Sequence, residues 1–319
     1  GGATWGATAT LSPTNDGGSH ADNPQIAMSS DGNRVTVVYE HASYGGIKTH
    51  SSSDGGNTWS SVTLLSEIGN NERAEFPRVG MSSDGSKITV VWQIYSGSYE
   101  KKIQARSSTD GGNSWGATYD LSLGGADPEG DAAEHPDITT SANGASTTVV
   151  WQNYDFGTPN PPYSIKSRTS SDSGASWSAA VDVSISDHNL AYPAIAGSDD
   201  GARLNTVWRC DDGPGGDSST RLICSSTSSN SGSSWAAVTQ LSSAGSQPPA
   251  VVASSDGSKV SVSWGHGDGY LNNNLKDTIQ VRSSSDFGAS WNSPVQVSPS
   301  DNSFASEPNP TSGIMASSS

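Results

Sequence analysis

The sequence predicts an all-β protein built from five copies of one four-stranded antiparallel unit, and three observations carry that prediction. First, Trp59, Trp115, Trp177, Trp235 and Trp291 recur at steps of 56, 62, 58 and 56 residues. Second, each closes a near copy of one turn: "SSDGGNTW", "STDGGNSW", "SSDSGASW", "SSNSGSSW" and "SSDFGASW". Third, no segment has the 3.6-residue apolar period of a helix. Self-similarity at this period marks a repeat architecture.

The first two strands of each unit lie upstream of the turn, in segments such as "PQIAMSSDGNRVTVVYE" and "PRVGMSSDGSKITVVWQ". Apolar residues alternate on both sides of a Ser-x-Asp/Asn-Gly turn, the pattern of a β-hairpin. Tyr39, Trp92, Trp151, Trp208 and Trp264 close the second strand. A variable loop leads to a third strand such as "KIQARSS"; the Trp-containing turn and a fourth strand such as "WSSVTLLS" follow. Units fall at about 24–65, 77–122, 136–184, 193–242 and 248–298. A four-stranded meander of about 55 residues has the size of one β-propeller blade. One blade cannot bury both its faces, so the blades are expected to pack around an axis as one domain spanning 1–319.

The ends extend the pattern. Residues 4–12 match a fourth strand without its turn, and 308–317 resemble the start of a first strand. The expectation is five complete blades plus a split sixth, a six-bladed ring if completed, with a five-bladed ring as the alternative. Truncation of a longer chain, or strand exchange with another subunit at the open ends, are further readings of the same pattern.

Composition narrows the class. Only 32% of residues are hydrophobic, but ten regularly spaced Trp argue against disorder. A net charge of −16 repels phosphate backbones, so nucleic acid is not expected as a partner. No apolar run is long enough to span a membrane, and the first residues lack the pattern of a signal peptide. Cys210 and Cys224 flank a Gly-rich connection between two apolar stretches. A hairpin there would form a disulfide in a Ser/Thr-rich, secreted or cell-surface protein; two buried thiols are the alternative.

The turns resemble the Ser-x-Asp-x-Gly-x-Thr-Trp motif of the Asp-box, or BNR-repeat, propellers of the sialidase-like superfamily, over about residues 24–298. That resemblance implies a structural role for Asp54, Asp110, Asp172, Asn230 and Asp286, whose side chains accept backbone N–H bonds across the turn. It also implies that the five turn Trp insert beside their blades. Similar repeats occur in sialidases, other glycosidases, lectins and sorting receptors, so function has to come from a site.

A site is expected over the central channel, where the repeats stop agreeing. Ahead of the Pro of each unit stand "ADNP", "AEFP", "AEHP", "LAYP" and "SQPP", which places Asp22, Glu75, Glu134, Ala191 and Ser246 at one position. Sialidases carry at this place an Arg-Ile-Pro signature whose Arg binds the substrate carboxylate with two further arginines. This chain has acids or small residues instead. Arg106, Arg168 and Arg282 share a repeated slot and read as blade-surface residues, so no three-arginine clamp is visible. An acidic mouth suits a cation or the hydroxyls of a neutral glycan.

Phe76, His135 and Tyr192 precede the Pro in three successive units, where aromatic faces suit a sugar. Glu75 and Glu134, from neighbouring units, are candidates for the paired carboxylates of a glycosidase. "DPEGD" at 127–131 and "DDGPGGD" at 211–217 hold clustered oxygen ligands without EF-hand spacing, so calcium remains open. No transition-metal pattern is present, and no other cofactor is implied. Three readings follow: a secreted or cell-surface module binding a glycan or an extracellular protein, a glycoside hydrolase acting on a neutral glycan, and an assembly protein joined at its open ends.

Overall fold

The computed structural model describes residues 6–12, 20–41, 46–66, 69, 72–96, 101–122, 132–154, 163–186, 189–211, 221–243, 246–266 and 278–298. They form twenty strands and no helix. Blade 1 holds β1 (Ala21–Met28), β2 (Val35–His41), β3 (Gly46–Ser52) and β4 (Thr63–Leu64). Blade 2 holds β5 (Glu72–Met81), β6 (Ile88–Ser96), β7 (Lys101–Ser108) and β8 (Tyr119–Asp120). Blade 3 holds β9 (Ala132–Thr140), β10 (Thr147–Tyr154), β11 (Tyr163–Ser170) and β12 (Val181–Ser186). Blade 4 holds β13 (Leu190–Gly197), β14 (Leu204–Asp211), β15 (Arg221–Ser228) and β16 (Thr239–Gln240). Blade 5 holds β17 (Ala250–Ala253), β18 (Val260–His266), β19 (Thr278–Ser284) and β20 (Val295–Gln296).

Every blade is an antiparallel meander in chain order, and blades 2 and 3 are joined by one parallel bridge between Lys101 and Ala132. The first strands of successive blades lie side by side, which builds a β-propeller around its innermost strands. The expected all-β fold of four-stranded antiparallel blades is therefore found.

The core lies between blades, because that is where a two-faced sheet can exclude water on each side. Each interface repeats one recipe. The second-strand Trp of one blade packs with the third-strand Ile of the blade before it and with a Leu or Val in, or just after, that blade's fourth strand. Trp92 meets Ile47 and Leu65, Trp151 meets Ile103 and Leu121, Trp208 meets Ile165 and Val183, and Trp264 packs with Ile223 and Leu241. All four of these Trp are fully buried. Full burial of such side chains contributes roughly 2–3 kcal/mol each.

The repeated turns hold one end of the blades together. Ser52 Oγ donates to Asp54 Oδ1 at 2.8 Å, Gly56 N–H donates to Ser52 Oγ at 2.9 Å, and the Thr58 N–H and hydroxyl donate to the two Asp54 oxygens at 2.8 and 2.6 Å. The other four turns repeat this geometry; Asn230 accepts from Ser234 N–H and turns its amide onto the Ser234 hydroxyl. Gly56 sits at φ +88°, a conformation that favours glycine. These hydroxyl and backbone donors hold the Asp54, Asp110 and Asp286 carboxyls down at about 2.

The first-to-second-strand turns use the same chemistry, as in Ser29 Oγ to Asp31 Oδ1 at 2.6 Å and Ser82 Oγ to Asp84 Oδ1 at 2.6 Å. Both turn series sit at the end of the blades opposite the starts of β5 and β9. The turn carboxylates and the candidate site carboxylates are thus separated by the length of a strand.

The disulfide joins Cys210 on β14 to Cys224 on β15, with Cα atoms 6.0 Å apart. It runs diagonally, since Cys210 pairs with Leu222 and Cys224 with Trp208 in the ladder. The hairpin thus brings the two cysteines together as expected, but in diagonal rather than directly opposed positions.

The repeated-slot arginines need a correction. Arg168 is 5% exposed, so it is buried between blades and not on a blade surface. Arg106 and Arg282 tie blades together: Arg106 donates to Leu65 O at 3.0 Å and Arg282 to Leu241 O at 2.7 Å, each a carbonyl of the preceding blade. In blade 1 the slot holds His50, whose Nδ1 lies 2.9 Å from Ser60 O and whose Nε2 lies 3.4 Å from the Tyr39 hydroxyl. Residues 6–12 form no strand; the Leu11 carbonyl lies 3.5 Å from that hydroxyl. Segments 127–131 and 308–317, and all but Asp211 of 211–217, lie outside the described residues, so the expectations placed on them are not addressed.

Candidate functional site

The site is built at the starts of the innermost strands, where one irregularity recurs. Asn23, Phe76, His135 and Tyr192, each just before the Pro of its unit, adopt φ of +47°, +54°, +52° and +54°. In each case the ladder to the second strand slips there, as between Asp22 and Gln25 or between Glu75 and Arg78. A left-handed residue before proline is disfavoured on its own, so the fold must hold it in place. The consequence is that three aromatic rings turn out of the sheets toward one another.

The restraint comes from the residue following the closing aromatic of the preceding blade. Phe76 N–H donates to Glu40 Oε2 at 3.0 Å, His135 N–H to Gln93 Oε1 at 3.2 Å and Tyr192 N–H to Gln152 Oε1 at 3.3 Å. Glu40 also accepts from the Asn23 amide at 2.6 Å. Each acceptor spans a blade boundary and satisfies an N–H that the bulge has removed from the ladder.

The rings form an arc across blades 2, 3 and 4. Phe76 and His135 centroids are 5.2 Å apart, and those of His135 and Tyr192 are 4.4 Å apart, both tilted. The Arg209 guanidinium lies 4.9 Å from the Tyr192 centroid, a cation–π contact that ends the arc.

Phe76 and His135 line a cleft of about 430 Å³. Glu75 and Gln93 of blade 2 and Glu134 of blade 3 line it too, together with Arg73, Tyr95 and Lys101. The sequence candidates Glu75, Phe76, Glu134 and His135 are thus brought together. Tyr192 adjoins them through His135. Asp22 is not among the lining residues; it stands opposite Glu40 in the blade 1 ladder.

Both oxygens of Glu134 have partners. Oε1 pairs with the Lys101 ammonium, and Oε2 accepts from Gln152 Nε2 at 2.9 Å and faces His135 Nδ1 at 3.7 Å. Burial pushes the His135 imidazole down, against the pull of Glu134. Burial likewise raises the Glu40 carboxyl, opposed by its bonds from Phe76 and Asn23 and reinforced by Glu75 and Asp22.

A largely buried ion pair joins the innermost strands β5 and β9. Arg78 Nε approaches Asp137 Oδ1 at 3.7 Å, and Asp137 Oδ2 accepts the Ile195 N–H at 2.9 Å, which links blades 2, 3 and 4. Burial pushes the Asp137 carboxyl up to about 6 despite that arginine. Arg78 is thereby engaged by Asp137, and Arg73 is the single arginine among the described lining residues.

Chemically, the arrangement offers a hydrocarbon face from the rings, carboxylate and amide acceptors from Glu75, Glu134 and Gln93, and donors from Arg73 and Lys101. A fixed, ion-paired Glu134 is poorly placed to deliver a proton. Sequence reasoning missed Glu40, Gln93, Gln152 and Lys101. The first three share a recognisable slot, the residue after Tyr39, Trp92 and Trp151.

No protein-family model and no curated protein matches the chain. Solved structures do. The Hadza microbial sialidase Hz136 is 14% identical with a TM-score of 0.54, over 87% of this chain and 58% of that one. The intramolecular trans-sialidase from Ruminococcus gnavus, solved with oseltamivir carboxylate, is 13% identical with a TM-score of 0.54, over 88% and 85%. A protein of unknown function from Dyadobacter fermentans is 15% identical with a TM-score of 0.54, over 82% and 79%. The chain therefore spans less than two thirds of the length of the first of these. At such identities the likeness concerns fold alone, and in fold the chain is a sialidase-like β-propeller.

Proposed function

We propose that the protein is an extracellular or cell-surface module that binds a neutral glycan at the aromatic arc and the cleft beneath it. One observation carries the reading: Phe76, His135 and Tyr192 are held by neighbouring blades in a disfavoured backbone conformation that gathers their rings into one arc, and Phe76 and His135 of that arc line a cleft with Glu75, Gln93 and Glu134. Backbone strain kept at one place in four blades, with two of the strained residues lining a cleft, is the pattern of a recognition site. Sugar C–H faces stack on rings while hydroxyls meet fixed carboxylates and amides.

A neutral ligand fits better than a sialic acid. Glu75 and Glu134 stand where the sialidase pattern has its arginine, Arg78 is engaged by Asp137, and Arg106, Arg168 and Arg282 lie between blades. The disulfide agrees with an oxidising compartment. A second reading, a glycoside hydrolase using Glu75 and Glu134, rests on the presence of both carboxylates in one cleft.

Screening the protein against neutral and sialylated oligosaccharides, alongside a panel of aryl glycosides, separates the readings. Binding to neutral glycans without turnover supports the proposal. Preference for sialylated glycans overturns it, and reporter release abolished by Glu75→Gln transfers the site to the hydrolase reading.

A further inference from the structure

At each bulge the residue two before the Pro is the ladder partner of the residue after the closing aromatic. Asp22 stands opposite Glu40, Glu75 opposite Gln93, Glu134 opposite Gln152 and Ala191 opposite Arg209. An acid thus faces an amide in blades 2 and 3, an acid faces an acid in blade 1, and blade 4 has neither acid nor amide.

In blade 3 this pair belongs to an unbroken chain of contacts from the cleft to the far ring of the arc. The Lys101 ammonium of blade 2 meets Glu134 Oε1, Gln152 Nε2 donates to Glu134 Oε2 at 2.9 Å, and Gln152 Oε1 accepts the Tyr192 N–H of blade 4 at 3.3 Å. The two neighbours of Gln152 demand opposite ends of its amide, because a backbone N–H only donates and an ionised carboxylate only accepts. A reversed amide would set Nε2 against the Tyr192 N–H and Oε1 against the carboxylate, two repulsive contacts at once. Glu134 therefore decides which way Gln152 faces. Blade 1 solves the same problem with a carboxylate. There Glu40 accepts the Phe76 N–H on one oxygen and the Asn23 amide on the other, while burial first, and then the charges of Glu75 and Asp22, push its carboxyl up.

We propose that Glu134 is a positioning residue for Tyr192: by orienting the Gln152 amide it holds the Tyr192 N–H, and with it the left-handed backbone that brings the ring to His135. The consequence for binding rests on the glycan reading above; the hold on Tyr192 does not. Glu134 lines the cleft yet acts on a ring one blade further on, so its loss should resemble the loss of Tyr192.

Amide hydrogen exchange at Tyr192 in the full chain, without ligand, tests the hold. Gln152→Ala removes the acceptor and is expected to speed exchange about tenfold. Glu134→Ala is expected to speed it too, with no further change when both are combined. The swapped pair Glu134→Gln with Gln152→Glu keeps the net charge and gives the Tyr192 N–H a carboxylate acceptor, as Glu40 does for Phe76, so it should exchange at about the wild-type rate. A wild-type rate in Glu134→Ala, or a swapped pair as fast as Glu134→Ala, overturns the inference. With a neutral oligosaccharide that binds in the screen, Glu134→Ala and Tyr192→Ala should each weaken binding, and the double variant no more than the weaker-binding single. Additive losses would show that Glu134 acts independently of Tyr192, and they overturn the positioning role. If no neutral glycan binds, the glycan reading fails, while the exchange rates still decide the hold on Tyr192.

Discussion

The backbone N–H of Phe76 donates to the Glu40 carboxylate at 3.0 Å across the boundary between blades 1 and 2, so a ring of the cleft is positioned by a side chain of its neighbour. The same relation holds for His135 with Gln93 and for Tyr192 with Gln152. The aromatic arc and the blade packing are therefore coupled through single hydrogen bonds.

Removing that acceptor leaves a partly buried N–H without a partner. Glu40→Ala is expected to destabilise the protein by about 1–3 kcal/mol, and Glu40→Gln by much less, since the amide oxygen still accepts. Urea unfolding of the two variants checks this; equal losses would show that the hydrogen bond does not position Phe76.

Blade 1 replaces a direct arginine tie with the pair His50 and Tyr39. Tyr39→Phe is expected to cost about 0.5–1.5 kcal/mol through loss of the hydroxyl. His50→Arg added to Tyr39→Phe should recover most of it, because Arg106 and Arg282 reach the equivalent carbonyls unaided. A double-mutant cycle with no coupling between the two positions would contradict the relay.

Two groups of carboxylates give opposite pH dependences. Asp31, Asp54, Asp84, Asp110, Asp256 and Asp286 are lowered from 3.8 to about 2, mainly by Ser or Thr hydroxyl donors. Their stabilisation is present above about pH 4 and is lost as pH falls toward 2. Asp137, raised from 3.8 to about 6 by burial, keeps a proton that the unfolded chain has released. Its contribution is full below about pH 4 and declines as pH rises through 6. Denaturation midpoints from pH 2 to 7 should show both slopes, and Asp137→Asn should flatten only the one between pH 4 and 6.

The disulfide closes a segment of 14 residues between β14 and β15, and both cysteines belong to the core between blades 3 and 4. Replacing both with Ala is expected to cost about 3 kcal/mol by the loop-entropy model. Thermal unfolding under matched conditions measures the loss; a change below about 1 kcal/mol would mean that the ladder alone holds the pair.

How much of this was legible depends on whether a feature repeats. The Trp steps and the Ser-x-Asp turns gave blade boundaries, because a repeated residue needs a repeated environment. Glu75, Phe76, Glu134 and His135 were found by the converse rule, as the places where units disagree beside a shared Pro. The left-handed bulge was not legible, since Phe, His and Tyr carry no preference for positive φ and each is held there by a residue about 40 positions earlier. Arg168 was misplaced for a similar reason: strand alternation assigns a face but does not say that the next blade covers it. Nor does spacing reveal that Lys101 pairs with Glu134, because the contact depends on the parallel bridge between two blades.

The central claim is that the arc of Phe76, His135 and Tyr192 is the glycan-binding surface. Calorimetric titration of a neutral oligosaccharide selected by the screen, with wild type, Phe76→Ala and Tyr192→Ala, tests it most directly. The account predicts that each substitution weakens binding at least tenfold, about 1.4 kcal/mol, with the unfolding midpoint little changed. Unaltered affinity in both variants would contradict it.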